Sequence, residues 1–590
     1  MTFAPPENLL AAWAHLLLDS LAAAGVAHVV VSPGSRSTPF VIAAAEHPRL
    51  TLHDAIDERA AAFFALGQAR VTGQPSLLLC TSGSAGAHYL PAVIEAGESG
   101  VPLLILTADR PTELLHASAN QTIDQRLLFE GYARRVVDLG TPDPAPEALR
   151  GLRRIAAQSV ALACGPVPGA VHLNARARKP LEPRAPAGDA GHALAAFVRD
   201  LCSTPAPRAA EGRLVAPDAT IEALAQRCVR AQRGLIVAGP APVGQASARR
   251  AVDALAAATG FPVFAEAASQ LRFTGARGAT RIDAFDWLAR LPQADDAWRP
   301  DFVLQLGAPP TSGAWERLLD RHPGLERVVI APWGWPDPHS TAAEVIHADI
   351  GIACEQLATA VARQRKGAPD DSYARSLAAA DARAQDAMAA VLAAGSDTLT
   401  EAGVARIATR ALPAGAWLVP GNSLPVRTVD AWCAGPLADL RVLAQRGASG
   451  IDGLTAGAAG TASVATEPVV LLTGDVSFLH DLDGLMLGAA ARVPLVVVVV
   501  NNGGGRIFEQ LPVARSASAA LMQHFTTPQS FDLEHAARLI GHAFERVQTR
   551  QAFATAFKAA CGRTGCSVID AIVPPHGAAE DAARVLAALA

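Results

Sequence analysis

The run PLVVVVVNNGGGRIF, residues 494–508, sets five consecutive valines directly against two asparagines and three glycines. β-Branched side chains suit a pleated surface, and no polar residue alternates with them, so the run reads as a strand covered on both faces. Similar runs recur along the whole chain, first as HVVVSPGS, SLLLCTSGS, VPLLILTADRP and AVHLNA. GLIVAGPAP, FPVFAEA, FVLQLGAPP and RVVIAP follow, then WLVPGNS, PVVLLTGD, PLVVVVVNN and SVIDAIVPP. Helical segments separate them. This alternation predicts an α/β protein with three parallel sheets, each carrying helices on both faces.

A chain of 590 residues, half of them apolar, exceeds one hydrophobic core and has material for several. Basic clusters at RARK (176–179) and RQRK (363–366) precede the linker-like stretches PLEPRAPAGDAG and GAPDDS. Boundaries near 188 and 367 are therefore expected, giving parts 1–188, 189–367 and 368–590. No apolar run approaches the ~20 residues a bilayer span requires, so no membrane span is expected. The N-terminal stretch lacks a basic start and reads as an amphipathic helix ending at Gly25, which points to a cytoplasmic protein. Eight scattered cysteines, with no CxxC spacing, read as buried free thiols rather than a disulfide framework or zinc site. A net charge of −5 with only brief basic clusters argues against nucleic acid as a partner.

In parallel sheets ligands bind at the carboxyl ends of the strands. PVVLLTGD ends in Gly474 and Asp475, and Asn502 follows Asp475 by 27 residues, the length of one strand, helix, strand unit. An Asp carboxylate, an Asn oxygen and a glycine carbonyl are the hard ligands that Mg²⁺ or Ca²⁺ takes, and Gly503–Gly505 would let the backbone close around an anion. Taken singly, GD fits a helix N-cap and NNGGG a plain turn. Taken together, each ending a buried strand, they favour a metal bridging to a diphosphate. A short echo, VSPGSRSTP beside VPGNSLPVR, is too brief to establish a duplication.

GD followed at this interval by NN resembles the cofactor motif of thiamine-diphosphate enzymes, whose usual form is GDG; here Val476 takes the third place. TGDVSFLHDLDGL and NNGGGRIFEQLP resemble one branch, the 2-succinyl-5-enolpyruvyl-6-hydroxy-3-cyclohexene-1-carboxylate (SEPHCHC) synthases, or MenD family. SPGSRSTPF, DERAAAFFALG, TSGSAGAHYLPAVIEA, LTADRPTELLHASANQTIDQ, GNSLPVR and QRGASGIDG extend the likeness over most of the two outer parts. The resemblance implies a pyrimidine-binding domain at 1–188, a central Rossmann-like domain at 189–367 and a diphosphate-binding domain at 368–590. It implies thiamine diphosphate with Mg²⁺, or Mn²⁺ in its place. The cofactor would lie between domains of two subunits, so a homodimer is the minimum and a homotetramer the alternative.

Residue roles follow from the same resemblance. Asp475, Asn502 and the Gly504 carbonyl correspond to metal ligands, and Gly474, Ser423 and Ile451 to cofactor contacts, Ile451 as an apolar prop. Glu58 corresponds to the catalytic glutamate at N1′ of the aminopyrimidine, and Ala60–Leu66 supply the apolar surround that favours proton sharing. Without the resemblance, Glu58 reads equally as a solvated helix start and Ile451 as core packing. The implied reaction decarboxylates 2-oxoglutarate and adds its succinyl carbanion equivalent to isochorismate, giving SEPHCHC in menaquinone biosynthesis. Both substrates are dicarboxylates, which guanidinium forks hold well. Arg36, Arg110, Arg427 and Arg446, all read as standing at strand ends amid glycine and serine, are the candidates, with Asn120, Gln121 and Ser423 as hydrogen-bonding partners and Phe508 and Leu511 lining the site. One departure is Gly313 in PPTSG, where the family commonly carries a lysine that would contact the second substrate. The alternative is another thiamine-diphosphate-dependent 2-oxoacid decarboxylase or carboligase. A noncatalytic member of the fold would have no need of Glu58.

Overall fold

The computed structural model describes residues 5–210, 212–274, 278–394, 397–435 and 438–590. Three sheets form, and all named strands in them pair in parallel. The first contains β1 (His28–Val31), β2 (Thr51–Asp54), β3 (Ser76–Cys80), β4 (Leu103–Asp109), β5 (Arg135–Asp138) and β6 (Ala170–Arg176), in the order β2-β1-β3-β4-β6-β5. The second contains β7 (Gly234–Ala238), β8 (Val263–Ala265), β9 (Phe302–Leu306), β10 (Glu326–Ala331) and β11 (Glu344–His347), in the order β11-β10-β9-β7-β8. The third contains β12 (Trp417–Pro420), β13 (Arg441–Val442), β14 (Val469–Gly474), β15 (Pro494–Asn501), β16 (Ala543–Val547) and β17 (Gly565–Ile572), in the order β13-β12-β14-β15-β17-β16. The valine run is β15, flanked by β14 and β17 and buried along Leu495–Val500, as a strand covered on both faces must be.

The chain divides into two compact units. The first joins Met1–Gly212 to Gln445–Val464 and Asp483–Arg492, two segments remote in sequence. Glycine explains that association. A Cβ at Gly67, on helix Glu58–Thr72, would stand 2.0 Å from the Gly457 carbonyl oxygen, and one at Gly460 would stand 2.0 Å from that of Phe64. Helix Leu454–Val464 thus lies backbone to backbone on helix Glu58–Thr72, and a buried hydrogen bond of 3.0 Å from Gln68 Nε2 to Ser463 Oγ fixes the pair. Gly67→Ala should force the helices apart and destabilise the protein by at least about 2 kcal/mol. A lower denaturant midpoint at unchanged slope checks this.

The second unit comprises Arg213–Ala444, Ala465–Leu482 and Val493–Ala590 and holds the second and third sheets. Arg272, with no exposed side-chain surface, links them. It pairs with Asp430 at 2.7 Å and donates from Nε to the Ala265 carbonyl at 2.7 Å, while Asp430 also accepts the Ala267 N–H at 3.0 Å. The apolar cores interleave too, since Phe264, Trp287 and Trp315 cluster with Trp432, Met388 and Val585.

Helix Leu9–Ala23 matches the expected N-terminal helix, and Gly25 takes a φ of +119° just beyond it. None of the eight cysteines, all among the described residues, forms a disulfide; five are buried and three half-buried. Among the described residues no helix is long and apolar enough to cross a membrane.

Candidate active site

In the second unit, β14 and β15 run side by side with Gly474 opposite Val500. Asp475 and Asn502 therefore emerge together at the carboxyl end of the third sheet. Asp475 opens helix Asp475–His480 and is 2% exposed. Burial raises its carboxyl above the ordinary range, and the backbone N–H groups of Val476, Asp475 itself and Gly504 partly offset this. The GD turn and the glycine loop are thus in contact. Asp475 Oδ2 and Asn502 Oδ1 are both buried without a hydrogen-bond partner. Buried polar atoms are nearly always paired, and the two orphaned oxygens on neighbouring strand ends are hard donors of the type a Mg²⁺-like cation takes.

The loop itself is moulded for close approach. Gly503 and Gly504 have φ of +75° and +136°, and a Cβ at Gly504 would meet the Thr526 carbonyl oxygen at 2.5 Å. Gly505 N–H donates to that same oxygen at 2.6 Å. The Gly504 carbonyl accepts the Arg506 N–H at 2.9 Å, which leaves it a second lone pair. A Cβ at Gly474 would meet nothing within 4 Å. The residues present fit a cation with a diphosphate.

Two members of this cluster escaped the sequence reading. Arg506 donates from Nε to the Asn502 carbonyl and from Nη2 to that of Gly503, each at 3.3 Å, and pairs with Glu509 at 2.7 Å. Glu401, 4% exposed at the start of helix Glu401–Ala411, accepts from Asn502 Nδ2 at 2.8 Å. Burial pushes Glu401 up to about 7, the Asn502 bond opposing and the Asp475 charge reinforcing the shift. Both read as ordinary helix or loop charges, and only TLTE, a Thr capping position before a Glu, hinted at a fixed position for Glu401.

Ser423 precedes helix Leu424–Trp432 with a φ of +71°, an outlier of the kind that clusters at functional sites. Arg427 stands within that helix rather than at a strand end, is exposed, and donates from Nη1 to the Ser423 carbonyl at 2.8 Å. Phe508 lies in the turn Arg506–Gln510 with its ring 5.8 Å from that of Phe525, and Leu511 just after it is 43% exposed. Gly313 opens helix Gly313–Arg321, which Ser312 caps.

The first unit holds the remaining candidates. Glu58 is half-buried at the first position of helix Glu58–Thr72, where the Asp57 side chain accepts the Ala60 N–H at 3.1 Å and residues 60–69 are buried. Arg36 follows β1 and Arg110 follows β4, and they are 7% and 9% exposed. Arg36 donates from Nη1 to the Ala177 carbonyl at 2.8 Å, and Arg110 bonds Ser82 Oγ. Gln121, with a φ of +55°, donates to the Ser82 carbonyl at 2.9 Å. Burial, then the charge of Arg110, lowers the pKa of Arg36, with Asp109 opposing. These two buried guanidinium groups stand close enough to repel each other, neither forms an ion pair among the described residues, and their chemistry suits a carboxylate. Asn120 is exposed in the same loop.

Arg446 and Ile451, although late in sequence, belong to this first unit and are half-buried. Their loop is held by Glu95, 2% exposed, whose carboxylate accepts the N–H groups of Gly447, Ala448 and Ser449 at 3.0, 2.7 and 3.4 Å and pairs with Arg70 at 2.7 Å. Gln445 donates to the Asp452 carbonyl at 2.9 Å. The structure thus groups Glu58, Arg36, Arg110, Asn120, Gln121, Arg446 and Ile451 in one unit. Ser423, Arg427, Gly474, Asp475, Asn502, Gly504, Phe508 and Leu511 fall in the other.

Residues 12–128 match the N-terminal TPP-binding domain of thiamine pyrophosphate (diphosphate) enzymes, and residues 435–571 match their C-terminal TPP-binding domain. The solved 4-hydroxybenzoylformate decarboxylase of Rhodococcus jostii superposes with a TM-score of 0.69 at 18% identity, covering 95% of this chain and 99% of that one. The benzoylformate decarboxylase of Polynucleobacter necessarius does so with 0.71 at 17%, covering 95% and 98%. These show the shared fold. The 2-succinyl-5-enolpyruvyl-6-hydroxy-3-cyclohexene-1-carboxylate synthase of Sorangium cellulosum is 49% identical over 98% of this chain and 95% of its own. Its namesakes in Geobacillus kaustophilus and Haloarcula marismortui are 41% and 40% identical, over 90% and 96% of this chain and 90% and 95% of theirs. With such identity over almost its whole length, and with the domains of a thiamine-diphosphate enzyme at both ends, the chain belongs to the SEPHCHC synthase family.

Proposed function

We propose that this protein is a SEPHCHC synthase that uses thiamine diphosphate and Mg²⁺, or Mn²⁺ in its place, to join the succinyl unit of 2-oxoglutarate to isochorismate with loss of CO₂, a step of menaquinone biosynthesis. The observation that carries the reading in the structure is the pair of buried, unpartnered oxygens, Asp475 Oδ2 and Asn502 Oδ1, beside a glycine loop. When bound, thiamine diphosphate supplies the electron sink that decarboxylation of a 2-oxoacid requires.

The chain's own residues do the rest. Asp475, Asn502 and the Gly504 carbonyl hold the cation, and Gly474, Ser423 and the Gly503–Gly505 backbone accommodate the diphosphate. Glu58 shares a proton with N1′ of the pyrimidine, and Ile451 props the cofactor. Arg36 and Arg110, with Gln121 and Asn120, hold a substrate carboxylate; Arg427 and Arg446 are the candidates for another. Phe508 and Leu511 exclude water. Gly313 leaves the second substrate without the family's usual lysine, so these arginines carry more of its recognition. The active assembly is a homodimer at minimum, with a tetramer as the alternative, which sedimentation velocity distinguishes.

Purified protein supplied with both substrates, thiamine diphosphate and Mg²⁺ should consume isochorismate only when all four are present. Equal turnover of 2-oxobutyrate in place of 2-oxoglutarate would replace this reading with a general 2-oxoacid enzyme. Arg110→Ala should lower kcat/KM by about 30-fold, since a charge-assisted bond in a largely dry site contributes roughly 2 kcal/mol. Arg110→Lys should recover only part of it, because an ammonium lacks the planar fork. Steady-state kinetics with each dicarboxylate varied in turn checks both, and cofactor affinity should not change.

A further inference from the structure

The Asn502 side chain has two ends of nearly equal size and opposite chemistry, and only the oxygen end can ligate a cation. Packing alone cannot choose between them, because an amide turned by 180° fills the same space. Its Nδ2 donates to Glu401 Oε1 at 2.8 Å, while its Oδ1 is buried without a partner. Glu401 is not a mobile surface charge. It is 4% exposed at the first position of helix Glu401–Ala411, and the preceding Thr400 caps that helix by accepting the Gly403 N–H.

The Asn502 amide presents its NH₂ group to Glu401 Oε1, which turns Oδ1 the other way and leaves it unpartnered. Asp475 Oδ2, the second orphaned oxygen, belongs to the neighbouring strand end. We infer that Glu401 is a positioning residue that selects the orientation of the Asn502 amide and so makes Oδ1 a cation ligand. This rests on the cation site proposed above. It adds to that site a residue 101 positions upstream of its ligand, on a different element. Partners that orient a metal ligand from behind typically contribute 10- to 100-fold to metal affinity.

Glu401 also brings a negative charge near the cation, so orientation and charge must be separated. The probe is Mn²⁺ titrated into the protein with saturating thiamine diphosphate, the free ion being followed by its electron paramagnetic resonance signal. Glu401→Gln is isosteric and can accept from Nδ2 or donate to Oδ1, so the amide loses its fixed orientation; Mn²⁺ affinity should fall about 10-fold or more. In an Asn502→Asp background the ligand has two oxygens and nothing to orient. There Glu401→Gln removes only the charge, so its cost in Mn²⁺ affinity should be smaller than in the Asn502 protein, and the difference is the orientation effect. Circular dichroism and the thermal midpoint without metal establish that each variant is folded. Unchanged affinity of the Glu401→Gln protein, or an equal loss in both backgrounds, overturns the inference while leaving the cation site standing. If Asp475→Ala also bound Mn²⁺ as wild type does, both would fall.

Discussion

Glu58→Gln is expected to keep most of its affinity for thiamine diphosphate and to lose about 10²- to 10⁴-fold in the exchange of the cofactor's C2 proton, the range that a placed acid or base contributes. The amide matches the carboxyl in shape and still fits the start of helix Glu58–Thr72, where Asp57 caps the helix independently of residue 58. What it cannot do is share a proton with a ring nitrogen. Residues 60–69 behind it are buried, so its surround on that side is packed and largely apolar. Proton exchange followed by NMR, alongside calorimetric titration with the cofactor, separates chemistry from binding. Exchange at the wild-type rate would remove Glu58 from the mechanism.

Asp475→Ala acts on the opposite property. It deletes the only charged member of the proposed ligand set, and leaving buried charges on a cation and diphosphate without their partner costs roughly 3–5 kcal/mol, or about 100-fold to several thousand-fold in affinity. The fold should survive without ligand. Asp475 Oδ2 has no partner to lose, and the backbone N–H contacts the carboxyl gives up are offset by the removal of a buried charge. The metal-free thermal midpoint should therefore change little, while the stabilisation normally produced by Mg²⁺ and thiamine diphosphate disappears. A cofactor-induced shift as large as that of wild type would show that the cation is held elsewhere.

How much of this was legible in advance depends on the reach of each interaction. β15 could be read from its valines because burial on both faces writes itself into consecutive residues. The meeting of Asp475 with the loop after Asn502 was equally readable, since one parallel crossover fixes which strand ends lie side by side. The carboxyl-end arginines Arg36 and Arg110 followed from the same rule, whereas Arg427 was displaced into a helix by a turn the pattern does not encode.

Other features answer to no local pattern. Glu401 meets Asn502 across 101 residues, and Glu95 gathers three backbone N–H groups from a loop more than 350 residues away. In sequence both are acidic residues on helices, indistinguishable from solvated ones. The segment bearing Arg446 and Ile451 joins the first unit rather than its neighbours in sequence, because Gly67 and Gly460 let two helices touch at their backbones. Periodicity records which face of an element is buried, and strand order records where its end points. Which distant group then satisfies a buried amide or a row of N–H donors depends on where the chain returns, and that is settled only when the whole unit packs.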